Sequence, residues 1–191
     1  MMIKSYANKI TSFLICNEAI DSEEYGIYTY GFEVLFASII NLTIIIGTGI
    51  IFDKFLHTLV FLGCYCPIRQ FAGGYHADNH KRCILNFFCI FLLTIVMADC
   101  LDFIGFRSLI IFIAILNSIS IYILAPIEHR NNPLSDAEKT KFKKITRILT
   151  TLLLMTIIIS IHFGTLYEYT LYGVLALFWI NVMLILTLIK K

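Results

Sequence analysis

The sequence predicts an all-α integral membrane protein, with about six transmembrane helices and an amphipathic helix at its N-terminus. Three observations lead there. The chain of 191 residues is 59% hydrophobic and only 15% charged, where a soluble domain is nearer half apolar and a quarter charged. The apolar residues are gathered into long uncharged runs, the pattern of membrane spans. Nearly all basic residues fall into alternate connecting segments, as bilayer topology requires.

The N-terminal region, residues 1–33, comes first. Ile3, Tyr6, Ala7, Ile10, Phe13 and Leu14 share one helical face, opposite Lys4, Lys9 and Ser12. That is the arrangement of a helix lying in the membrane interface. The early charges leave no apolar stretch with a cleavage site, so this is not read as a cleavable signal. Asp21 with Glu24 matches a capping box for a second helix that runs on into the first span. Residues 34–127 hold four apolar runs, at 34–52, 55–68, 83–98 and 108–127. A complete span needs ~20 residues, so the runs at 55–68 and 83–98 are short, and they flank a polar island. A basic segment at 128–147 follows, then runs at 148–167 and 169–189. The whole chain reads as one membrane domain.

If each run crosses once and both ends lie inside, 13 of the 15 basic residues are inside and only Lys54 and Arg107 outside. The expectation is therefore cytoplasmic N and C termini, with the island on the cytoplasmic side. A four-span variant, with the short runs re-entrant, is the alternative, since irregular backbone is tolerated at depth when protein covers it. Five of the six cysteines lie in or beside apolar runs, which reads as reduced thiols rather than a disulfide framework, most of them small buried hydrophobes.

The island at 69–83 reads R-Q-F-A-G-G-Y-H-A-D-N-H-K-R-C. It sets a thiol, two imidazoles, an arginine and a Gly-Gly pair between apolar runs. Cys83 follows Lys81 and Arg82 at the start of an apolar helix; cations and a helix N-terminus both favour a thiolate nucleophile. His76 and His80 are both candidates to take and return a proton. On one helix His80 is a turn from Cys83, whereas His76 is ~10.5 Å away along the axis. His76 can serve only if the helix breaks near 77–80, where Asp78 and Asn79 are good N-cap residues. The Gly73-Gly74 pair permits close backbone approach by a peptide. His76, His80 and Cys83 also offer three metal-ligand types, but they match no common zinc spacing and need a fourth ligand, for which Cys66 and Asp78 are the candidates. Plain alternatives exist for each: an interface cysteine, solvated histidines, an arginine reaching for headgroups.

The island resembles the core motif of the accessory gene regulator protein B (AgrB) family, membrane cysteine endopeptidases that process quorum-sensing propeptides in Gram-positive bacteria. The agreement includes the arginine, Gly-Gly-x-His and a cysteine seven residues after that histidine. A second stretch, A-P-I-E-H-R-N-N-P-L at 125–134, resembles the family's loop after the fourth hydrophobic segment. The resemblance implies His76 as catalytic histidine and Cys83 as nucleophile, gives His80 no role, and puts Arg69, Gln70, Gly73 and Gly74 at structural or substrate-orienting positions. It implies a cell-membrane homodimer acting on an AgrD-like propeptide with an amphipathic N-terminus and an acidic C-terminal tail, yielding a thiolactone or lactone. No cofactor, metal or nucleic acid is implied. Ser135 with Glu138 forms a second capping box, after which Lys139, Lys143 and Arg147 share a face with Lys141 and Lys144 nearby. These residues serve anionic lipid contact or docking of the acidic tail. The competing functions are a small peptide exporter, for which the spans hold few polar residues (Asn41, His57, Asn86, Asn117, His162 and Asn181), and a metal-dependent membrane hydrolase.

Overall fold

The computed structural model describes residues 2–73, 80–127 and 135–189. They form seven helices: α1 Met2–Cys16, α2 Tyr25–Ile51, α3 Phe55–Ala72, α4 His80–Ile104, α5 Arg107–Leu124, α6 Asp136–Ser160 and α7 Tyr167–Ile189. Short 3₁₀ turns at Ser22–Glu24 and Gly164–Leu166 lead into α2 and α7. No β-strand occurs among the described residues, only an isolated bridge between Gly73 and Ile127. The stretches Ser22–Ile51, Arg82–Ile104, Arg107–Leu124 and Gly164–Ile189 are long and apolar enough to cross a membrane. The chain is thus an all-α membrane protein with at least four such segments; α3 and α6 fall outside that set. Arg69 lies in the last turn of α3 and the basic residues occupy the first half of α6.

The chain divides into two compact units, Met1–Thr48 with Ala77–Phe88, and Gly49–His76 with Cys89–Lys191. In the first, the small residues of α1 face inward. Ala7 and Thr11 are fully buried, and Thr29 of α2 donates to the Thr11 hydroxyl at 3.2 Å. Tyr6 and Phe13 remain exposed, as an interfacial helix requires. The capping box expected at Asp21 does not form. Asp21 makes no side-chain cap, because the Glu24 amide it would accept from donates instead to the Asp21 carbonyl at 3.0 Å, closing a 3₁₀ turn.

In the second unit α3 packs on α6 and α7, and α5 packs on the same two helices. The buried face of α3 (Thr58, Phe61, Leu62, Tyr65, Ile68, Ala72) repeats every three or four residues, one helical stripe. Phe61 stacks on Tyr65 at 5.4 Å and meets Phe91 at 5.7 Å. The run Leu171–Leu177 of α7 is buried on every side, so α7 is the central helix of this unit.

Side-chain pairs fix the direction of each helix. At the starts of α3, α5 and α7, His57 bonds Glu168 at 3.2 Å and Arg107 lies 5.3 Å over the Tyr167 ring. At the other end, α3 and α5 finish together at the Gly73–Ile127 bridge. Thus α3 covers the same distance between the same two ends as α5. The counter-running α6 meets α5 at Arg147–Tyr122 and α7 at Ser160–Thr170, 2.7 Å apart.

Some polar residues within these helices pair with one another, whereas the buried hydroxyls of Thr146, Thr150, Tyr167 and Tyr172 and the Trp179 indole N–H have no hydrogen-bond partner among the described residues. The Asn181 side-chain amide donates to the side-chain amide oxygen of Asn117 at 2.9 Å and accepts from the Ser120 hydroxyl at 2.6 Å. This cross-link fixes the α5–α7 register, since an unpaired amide is costly in an apolar medium. Neither amide is left to line a transport path. None of the six cysteines is in a disulfide. The expectation that most are buried in the core is wrong: Cys89 and Cys100 on α4 are exposed and none of the six is fully buried. In a membrane protein the outward side of a helix is as apolar as the core, so an uncharged run does not say which way a thiol faces.

Candidate functional site

Cys83 is the fourth residue of α4 and is half-buried. The first turn of that helix carries no acidic residue, and the sequence there is His80-Lys81-Arg82. Orphan amides of the first turn and adjacent cations both stabilise negative charge on a group placed there. Arg82 is exposed. Gly74 and His76 lie outside the described residues, as do Asp78 and Asn79, where the sequence puts the helix break. α4 is helical from His80 onward.

On the approach to this stretch, α3 presents Arg69 half-buried and Gln70 exposed in its last turn. It stops at Gly73, which has φ 71° and ψ −150°. That conformation is accessible essentially only to glycine. The reason for the stop is long-range. The Ile127 amide donates to the Ala72 carbonyl at 3.0 Å, and a Cβ on Gly73 would collide with the Ile127 carbonyl oxygen. The close approach that this glycine permits is therefore taken by the chain's own backbone at Ile127. The two stretches singled out in the sequence, 69–83 and 125–134, meet at this point. Ile127 is the positioning residue that sequence reasoning missed; its place inside the second stretch was the available signal. Residues 128–134 lie outside the described residues.

The start of α6 packs beside the same end of α3, with Phe142 edge-on to Phe71 at 5.5 Å. Here the capping box read from the sequence is present. Glu138 donates its amide to the Ser135 hydroxyl at 3.3 Å, and the Ser135 amide donates back to the Glu138 carboxylate at 2.9 Å. The Ser135 amide first, and then the Ser135 hydroxyl donating to the same carboxylate at 2.8 Å, hold the Glu138 carboxyl below its ordinary range. Lys139 pairs with Asp136 at 3.6 Å. Lys141, Lys143 and Lys144 are exposed. Arg147 is tied to α5: its guanidinium lies 5.5 Å from the Tyr122 ring centre and donates to the Tyr122 carbonyl at 3.4 Å.

At the far end of α3, Lys54 pairs with Asp99 at 3.3 Å and His57 stacks on Tyr169 at 4.4 Å. A cavity of about 50 Å³ lies among Lys54, Asp99, Asp102, Glu168 and Tyr172. Among the described residues no group of three His, Cys, Asp or Glu side chains is placed to hold a metal ion.

Fold and site together define a polytopic helical membrane protein with a cysteine in the first turn of an apolar helix. The family model for accessory gene regulator B matches residues 7–188. The chain belongs to that family. It is 26% identical over 171 residues to putative AgrB-like protein 2 of Clostridium perfringens, covering 83% of this chain and 75% of that one. It is 28% identical over 160 residues to accessory gene regulator protein B of Staphylococcus saprophyticus, covering 82% of each chain. To accessory gene regulator protein B of Staphylococcus aureus it is 27% identical over 160 residues, covering 82% and 84%. No solved structure matches the chain at a significant level. Membership supports a part in accessory gene regulator quorum-sensing processing.

Proposed function

We propose that the chain is a membrane-embedded cysteine endopeptidase that cleaves an autoinducer propeptide. The observation that carries this reading is Cys83 itself: a half-buried thiol in the first turn of a long apolar helix, a turn that holds Arg82 beside it and no acidic residue. In this reading the Cys83 sulfur attacks a peptide carbonyl, and the carbon–nitrogen bond breaks as His76 gives its proton to the departing amine. The N-terminal part of the propeptide is held as a thioester. A cysteine within that same part then attacks, the Cys83 sulfur leaves, and a thiolactone is released. Exchange of one thioester for another is nearly balanced in free energy, provided competing water is kept out. A hydroxyl in place of the substrate thiol gives a lactone.

We also propose six crossings, with both termini and the Cys83 end of α4 on the cytoplasmic side, and a homodimer as the working unit. The shared ends of α3 and α5 support the crossing of α3. The propeptide partner is one with an amphipathic N-terminus and an acidic tail. Co-expression with the neighbouring propeptide tests the assignment. Cleavage is expected to disappear with Cys83→Ala and His76→Ala and to persist with His80→Ala. Cleavage that survives Cys83→Ala would overturn the assignment, cleavage abolished by a chelator would replace the dyad with a metal site, and loss with His80→Ala but not His76→Ala would move the proton-transfer role to His80.

A further inference from the structure

Along one face of α6, Thr140, Lys143, Lys144, Arg147, Ile148, Thr151 and Leu152 follow at helical spacing and, with Tyr122 of α5 as the facing wall, line a groove of about 540 Å³. Its volume falls in the range of small-molecule sites, roughly 300–1,000 Å³. Its chemistry is graded along the helix axis. The end nearer the start of α6 holds three cations and no carboxylate. Lys143 and Lys144 make no ion pair with any described residue, and Arg147 is held in place by Tyr122. The other end is walled by Ile148 and Leu152. The threonines ask for no polar partner, since Thr140 donates to the Asp136 carbonyl at 2.9 Å and Thr151 to the Arg147 carbonyl at 2.8 Å.

We propose that this groove binds one anionic phospholipid, its phosphate between Lys143, Lys144 and Arg147 and an acyl chain along Ile148 and Leu152. The lining residues extend roughly 18 Å along the helix, enough for a headgroup and the upper part of a chain. An acidic peptide would satisfy the cationic end alone and leave the apolar end uncovered. An anionic amphiphile satisfies both, and its orientation matches that of a helix entering a bilayer at its basic end.

The full-length protein, purified in detergent with equimolar phosphatidylglycerol and phosphatidylcholine, tests this by native mass spectrometry of retained lipid. Wild type is expected to keep one phosphatidylglycerol in preference to phosphatidylcholine. Lys143→Gln with Lys144→Gln lowers its retention roughly 25-fold, about five-fold per lysine, and leaves phosphatidylcholine unchanged. Leu152→Gln lowers retention of both lipids. Lys4→Gln with Lys9→Gln, which removes the same charge from α1, leaves retention as in wild type. Equal retention of the two lipids by wild type, or an equal loss in the Lys4/Lys9 variant, would overturn the site. So would displacement of phosphatidylglycerol by a soluble glutamate-rich decapeptide whose own binding is lost with Lys143→Gln and Lys144→Gln.

Discussion

At its first turn α3 is tied to its neighbours by side chains, whereas at its last turn a main-chain clasp is added to the Phe71–Phe142 side-chain contact. His57 reaches Glu168 of α7, and the adjoining Lys54 reaches Asp99 of α4. At the other end, the Ala72 carbonyl accepts from Ile127, and Gly73 adopts a conformation closed to other residues. The difference is one of tolerance. A side-chain pair that is partly solvated can be exchanged at small cost. A backbone clasp that needs a glycine cannot. The end that leads into the stretch with His76 and Cys83 is the intolerant one.

The largest effect expected at the working end is chemical. Cys83→Ala should lower propeptide cleavage by about 10³-fold or more while leaving the thermal unfolding of the protein near wild type, so that cleavage and stability separate. Next comes the clasp. Gly73→Ala forces a Cβ against the Ile127 carbonyl at positive φ, with a cost on the order of 1–3 kcal/mol. A clear fall in melting temperature together with reduced cleavage is expected. A Gly73→Ala protein with wild-type stability and cleavage would remove the clasp from the account.

The side-chain-tied end should respond more mildly. His57→Ala removes the bond to Glu168 and the stack on Tyr169, about 1 kcal/mol in all. It should lower the melting temperature slightly, with cleavage per folded molecule unchanged. A large loss of cleavage there would erase the contrast between the two ends. The smallest effect belongs to the cap of α6. Because the folded-state carboxyl of Glu138 is held below its ordinary range, its contribution is present above the unfolded carboxylate pKa, about 4.3, and is lost as pH falls through the lower folded value. Glu138→Gln should flatten that acid-side dependence in a melting profile.

What the sequence disclosed follows the same division. Local signals were legible. The apolar runs gave the helices, and Ser135 with Glu138 gave the start of α6, because a capping box is complete within four residues. The same signal misled at Asp21, where the chain closed a 3₁₀ turn with the amide the side chain would have used. Contacts between distant segments were not legible. Lys54, Asp99 and Glu168 sit in three separate charged interruptions and read as unrelated. Gly73 was read as room for a peptide because nothing local reveals Ile127, 54 residues later, as the backbone that fills it. The run of charges entering α6 was legible as basic, but the groove beside it was not, since its opposite wall is Tyr122 of another helix.

The central claim is a thioester on Cys83, and intact-mass spectrometry tests it most directly. Purified protein mixed with propeptide whose internal cysteine has been replaced by alanine should accumulate a covalent adduct with the mass of the N-terminal fragment. That adduct should map to Cys83 and be released by hydroxylamine. Cleavage of the propeptide with no adduct on wild type, and continued cleavage by Cys83→Ala, would contradict the account.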